Sequence, residues 1–166
     1  MSSKSKKIFL ALSIIVPFLF YCFYYYGMMV KNAPYKFSEF QSLTFKYGLG
    51  DSLVNQYDSS TGIYQYVNKR DSLIRKKVTL SKDDLLILHR RAAQLGFWNF
   101  PSEIVNQGEA SKNTPHYYIE LKYQRKSKKI LFDLDYNGDA KLKDAVRRLI
   151  EEITNTINDA EDKSAK

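Results

Sequence analysis

The sequence predicts an α+β domain carried behind a membrane-spanning helix, and three observations predict it. An uncharged run of 23 residues extends from Ile8 to Val30. Beyond it, short stretches with an apolar residue at every second position are separated by turn residues, the pattern of half-buried strands. Two longer segments, after Ser81 and after Asp139, repeat their apolar residues at helical spacing. Together they read as β-β-β-α-β-β-α, an antiparallel sheet with both helices on one face.

The first element is the uncharged run. As a helix it is about 34 Å long, enough to cross a hydrocarbon core of about 30 Å with some tilt. Lys4, Lys6 and Lys7 precede it, while Tyr21, Tyr24, Tyr25 and Tyr26 crowd its far end, where amphipathic rings favour the headgroup level. The lysines favour the cytoplasmic side and put the C-terminal domain outside the cytoplasmic membrane, although Lys31 and Lys36 follow the run. Pro17 is tolerated in a membrane helix. A cleaved signal peptide is the main alternative, but its sites are poor: Tyr25 stands three residues back from Gly27's bond, and Lys31 from Ala33's, with Pro34 after it. Phe20 and Tyr21 before Cys22 fit a lipoprotein site worse. The expected organisation is a basic cytoplasmic tail at 1–7, a signal anchor at 8–30, a stalk at 31–41, a globular domain at 42–158 and a disordered tail at 159–166.

In the domain, Leu43, Phe45 and Tyr47 alternate with Thr44 and Lys46 as a first strand, broken by Gly48, Gly50, Asp51 and Ser52. Gly62–Val67 and Leu73–Leu80 follow as the second and third, joined by a turn at Asn68–Asp71. Ser81 and Asp84 form a helix start signal, a variant of the capping box. The helix after it places Leu85, Leu88, Ala92 and Leu95 on one face and ends at Gly96, a natural left-handed terminator. Phe97, Trp98 and Phe100 are expected to plug one end of the core. Residues 102–115 read as a polar loop, long enough to suggest function. Tyr117, Ile119, Leu121 and Tyr123 define a fourth strand; Ile130, Phe132, Leu134 and Tyr136 define a fifth. Leu142, Val146, Leu149, Ile150, Ile153 and Ile157 recur along the last helix, with Arg147, Arg148, Glu151 and Glu152 outward.

Composition narrows the function classes. The formal net charge is +8, with three N-terminal lysines supplying part of it. The remainder favours anionic partners such as headgroups or an acidic protein face, while its scatter gives no case for nucleic acid. Cys22, the single cysteine, lies in the apolar run, so no intrachain disulfide forms and the core alone holds the domain. No G-x-S-x-G turn, H-E-x-x-H helix or Gly-rich phosphate loop occurs, which argues against an enzyme without excluding a dispersed site. His89 and His116 are the only histidines, too few for a structural zinc site without a soluble cysteine. No cofactor and no small-molecule ligand is indicated.

Two constellations remain. Asp133, Asp135, Asn137, Gly138 and Asp139 match the first half of a calcium loop, with Asp144 at its twelfth position. A strand enters where such a loop needs a helix. The competing reading makes Asp133 and Asp135 outward residues of a strand, Asn137-Gly138 a turn and Asp139 a helix cap. The second constellation is aromatic and basic. Tyr64, Tyr66 and Tyr118 alternate with the aliphatic strand positions and are expected on the sheet face away from the helices. Lys122 flanks them, and Arg125 and Lys126 form a basic turn. Rings edged by Arg and Lys suit protein-binding surfaces, though tyrosine is also an ordinary strand residue.

The succession of hairpin, Ser-capped helix, "GFWNFP" terminus, tyrosine-led hairpin and final amphipathic helix, over roughly residues 60–158, resembles small secreted or anchored bacterial domains of unknown function. It is distantly similar to emfourin-type inhibitors of metalloproteases, from which the anchor is a departure. Inhibition is what that resemblance implies, and it transfers no functional residue. The expectation is a single-pass membrane protein, held by Ile8 to Val30, presenting a binding module to another protein through its open sheet face or the 102–115 loop. The alternatives are a calcium-dependent structural or adhesive module and an enzyme with a dispersed site.

Overall fold

A computed structural model describes residues 3–31, 35–50, 52–108 and 114–164. Positions 1–2 of the expected basic tail, 32–34 of the stalk, 51 in the first break, 109–113 of the long loop and 165–166 of the tail lie outside the described residues. The chain divides into two units, Met1–Tyr35 and Lys36–Lys166. The first is the helix α1 (Ser3–Lys31), with Pro17 inside it. Its stretch Lys4–Gly27 is long and apolar enough to cross a membrane, and none of it is buried in protein.

The second unit begins with a 3-10 turn, Phe37–Glu39, and continues through β1 (Phe40–Leu49), β2 (Ser52–Asp58), β3 (Ile63–Val67) and β4 (Leu73–Lys77). Helix α2 (Lys82–Leu95) and a 3-10 turn at Phe97–Asn99 lead to β5 (Glu103–Ile104), β6 (Pro115–Tyr123), β7 (Ser127–Asp133) and α3 (Ala140–Ser164). The seven strands lie in the order β4-β3-β2-β1-β6-β7-β5. Every neighbouring pair is antiparallel except β5 with β7. The mixed α+β class expected from the sequence is therefore present, with more strands than the periodicity predicts.

The additional long strand is β2. Its residues SLVNQYD do not alternate, and only Tyr57 among them is buried, so the period-two signal is missing. A tight reversal instead pairs Leu49 with Ser52, with Gly50 at φ +56°. Gly48 makes the reversal fit: a Cβ there would stand 1.8 Å from the Ser52 carbonyl oxygen. β4 also stops short of the expected Leu80. The Val78 N–H turns to the Gly62 carbonyl at 2.7 Å, and Val78 and Leu80 enter the core. β7 likewise ends at Asp133, where Tyr136 N–H closes a turn onto its carbonyl at 3.0 Å, so Leu134 and Tyr136 are not strand residues. The expected stalk is folded from Phe37 onward, and α3 continues through the expected disordered tail to Ser164.

Helix boundaries follow local chemistry. Ser81 Oγ accepts from the Asp84 N–H at 3.1 Å and the Asp84 carboxylate accepts from the Ser81 N–H at 2.9 Å, a reciprocal cap. The hydrogen bonds from Ser81 hold the Asp84 carboxyl below its usual range. Gly96 ends α2 at φ +79°, a conformation that costs glycine little. Asp139 Oδ1 accepts from the Lys141 and Leu142 N–H groups and starts α3.

Register defines the two sheet faces. Phe45 stands opposite Tyr57 and Ile119, Tyr57 opposite Tyr64, and Ile119 opposite Ile130; all five are buried. Leu88 and Ala92 of α2, with Val146, Leu149, Ile150, Ile153 and Ile157 of α3, complete the core. His89 of α2 meets the Tyr123 hydroxyl at 2.8 Å, and Glu161 of α3 meets Tyr66 and Lys76. Tyr57 donates its hydroxyl to the Val78 carbonyl at 3.1 Å, and burial pushes that phenol up to about 12.

Candidate protein-binding face

The alternate residues of the same strands form the other face. Pairing gives a continuous row, Arg75, Gln65, Gln56, Lys46, Tyr118, Leu131 and Glu103, one from each strand. A second row runs beside it through Lys77, Ile63, Asp58, Thr44, Glu120 and Lys129. Long polar side chains dominate both rows. Between them lies a partly open groove of about 600 Å³ whose walls include Lys46, Gln56, Asp58, Ile63, Tyr118 and Glu120.

Tyr118 is the centre of this groove. Its hydroxyl donates to Glu120 Oε2 at 2.8 Å, and the Lys46 ammonium stands 6.0 Å from its ring centroid. Partial burial, then the hydrogen bond to Glu120 and that carboxylate's charge, push the phenol up to about 12. It stays a neutral donor at physiological pH. Asp58 accepts from the Ser60 N–H and hydroxyl at 2.8 and 2.6 Å, which fixes one wall. Gln65 is buried within the row: it donates to the Val54 carbonyl at 2.9 Å and accepts from Arg75 Nε at 2.6 Å. Ile63 remains about half exposed, an apolar spot among polar neighbours.

The three tyrosines expected together are divided. Tyr118 stands in the row of Lys46 and Gln56, whereas Tyr64 and Tyr66 point to the opposite face. The reason is register: Tyr64 is paired with Tyr57, a core position. Tyr64 is buried, its hydroxyl 3.4 Å from that of Tyr47, and burial followed by this bond raises its phenol. Tyr66 donates to Glu161 Oε1 at 3.5 Å, and Lys76 lies 5.9 Å from its ring. Neither joins Tyr118. Lys122 is exposed on the open face, opposite Ser42 and Ser127. Arg125 forks onto Glu39 at 2.5 and 3.1 Å, and Lys126 sits half-buried in the same turn.

The calcium constellation is also divided. Asp133 is completely buried rather than outward; it lies 3.2 Å from His116 Nε2 and accepts from the Asn106 N–H at 2.8 Å. The segment around Asn106 covers that end of the face. Asp135 Oδ2 meets Thr114 at 3.4 Å, Asp139 caps α3, and Asp144 pairs with Arg148 at 2.9 Å. Asn137 donates its backbone N–H to Asn106 Oδ1 at 3.0 Å. Asn106 thus bonds Asp133, the Asp135 carbonyl and Asn137, while Asp139 and Asp144 turn to other partners, and among the described residues no cluster of three ligating side chains forms.

Lys46, Gln56, Asp58, Ile63 and Glu120 were not singled out by sequence reasoning. Nothing in β1 alone distinguishes Lys46 from any outward lysine. The usable signal was cross-strand: once β1 and β6 are paired, Lys46 falls opposite Tyr118. Neither a protein-family model nor a curated protein sequence matches the chain.

Proposed function

We propose that this chain is a single-pass protein of the cytoplasmic membrane whose N-terminus lies on the cytoplasmic side and whose globular unit, on the outer side, docks another protein on the open sheet face. In this reading α2 and α3 together cover one face and leave the other free. The observation that carries it is the Tyr118 groove. It has a ring, an apolar spot and the charges of Lys46, Asp58 and Glu120, all partly exposed, on strands whose alternate residues are core. Interfaces enrich aromatic residues, and a groove open to solvent along the strands admits a macromolecule. The hydropathy of Lys4–Gly27 and the lysines before it support the anchor and its orientation.

The test is photo-crosslinking in intact cells with a photoreactive residue replacing Tyr118 in the full chain. A discrete adduct in the carbonate-resistant membrane fraction, lost when Lys46→Glu is added, is the expected result. Absence of any adduct, or one indifferent to Lys46→Glu, overturns the docking face. Recovery of the chain as a soluble form beginning near residue 28 or 34 overturns the anchor.

A further inference from the structure

A second surface lies where the chain enters the globular unit, at the sheet end formed by the start of β1, the close of β6 and the start of β7. Here Phe37 and Phe40 stack at 5.6 Å, and with Leu85 and Lys82 they line a groove of about 540 Å³. Lys36, Arg125 and Lys126 all act on the single carboxylate of Glu39 and hold it below the usual range, with the Arg125 hydrogen bond the largest cause. Only Arg125 bonds that carboxylate directly. Asp83 and Asp84, the latter capped by Ser81 and still ionised, stand beside Lys82, so this end sets Lys36, Lys82, Arg125 and Lys126 against Glu39, Asp83 and Asp84. Apolar rings set among lysines and an arginine are the composition of surfaces that rest in lipid headgroups.

We propose that this end of the globular unit binds the anionic surface of the bilayer, with Phe37 and Phe40 entering the headgroup layer and Lys36, Lys82 and Lys126 facing lipid phosphates. The proposal rests on the anchor reading. Five residues separate Lys31, the last of α1, from Phe37. A fully extended chain of that length reaches no farther than about 20 Å. An anchored chain therefore keeps this end at high local concentration over the lipid, where even weak attraction holds it.

The experiment uses the full chain reconstituted into vesicles of phosphatidylcholine alone or mixed with phosphatidylglycerol, each carrying a headgroup-labelled energy acceptor. Trp98 is the only tryptophan. It packs on His89 and on Tyr123, which in turn touches Phe40, so its emission reports this end of the unit alone. Transfer from Trp98 is expected to rise several-fold in the anionic vesicles and to fall back in high salt. It is also expected to fall in the Lys36→Glu, Lys82→Glu double variant, both positions being exposed. Lys141→Glu with Lys143→Glu, the same charge change at the start of α3, is expected to leave it unaltered. Equal transfer in the two lipids, or transfer insensitive to the double variant, overturns the proposal. Flotation of the chain with neutral vesicles after carbonate treatment separates the two readings. A chain that floats but shows no lipid dependence fails here only, and a chain that does not float fails both.

Discussion

The two faces of the sheet are built from alternate residues of the same strands, yet they obey different constraints. On the buried face, Phe45, Tyr57, Ile119 and Ile130 stand side by side, and each is at most 1% exposed. Across the same strands on the open face stand Lys46, Gln56, Tyr118 and Leu131, none of them fully buried. A side chain on the first face is fixed by every neighbour it touches, because interiors are packed to near-crystalline density. One on the second meets fewer neighbours, apart from Gln65 and Asp133, which are buried there. What the contrast teaches is that tyrosine alone identifies neither face. Tyr64 is core and Tyr118 is surface, and only pairing tells them apart.

The contrast can be broken by substitution. The largest effect is expected for Phe45→Ala, a loss of about 3–5 kcal/mol measured by denaturant unfolding, since it empties the centre of the buried face. Ile150→Ala, at a buried position of α3, should lose about 2–5 kcal/mol. Gly48→Ala should follow at about 1–3 kcal/mol, because the added Cβ must displace the Ser52 carbonyl. A loss below about 0.5 kcal/mol in any of these, the scale of ordinary surface changes, would show that the face is not packed as described.

Acid sensitivity sharpens the comparison from α2. Burial, then the Arg90 charge, lower the His89 pKa from 6.5 in the folded state. The unfolded chain therefore binds a proton more readily than the folded one. Stability is complete above the unfolded pKa and declines as pH falls from there through the lowered folded value. Unfolding midpoints measured across this range should show a smaller decline in His89→Gln. Smallest of all, Tyr118→Phe and Lys46→Ala should each change stability by no more than about 0.5 kcal/mol, while Lys46→Ala weakens crosslinking from position 118.

Features decided within a few residues were legible in the sequence. The Ser81–Asp84 cap, the left-handed Gly96 and the α3 stripe from Val146 to Ile157 all rest on local spacing, and all are present. Features decided across strands were not. β2 is held by pairing with β1 rather than by its own alternation, and so it left no period to read. Asp133 looked outward because its neighbours on β7 do; the covering segment at Asn106 and the His116 ring enclose it, and both are distant in sequence. The candidate site fared likewise. Of its proposed aromatic members only Tyr118 lies on the open face, because the parity of β3 depends on the register set by β2, the strand the sequence did not disclose.

The central claim is that the open face is occupied in the membrane and the buried face is simply core. Hydroxyl-radical footprinting of the full chain compares them directly, in native membranes and after purification in detergent. The account predicts that Tyr118 is protected in membranes and becomes reactive on purification, while Tyr64 is protected in both. Equal reactivity of Tyr118 in the two preparations, or reactivity of Tyr64 matching that of Tyr118, would contradict it.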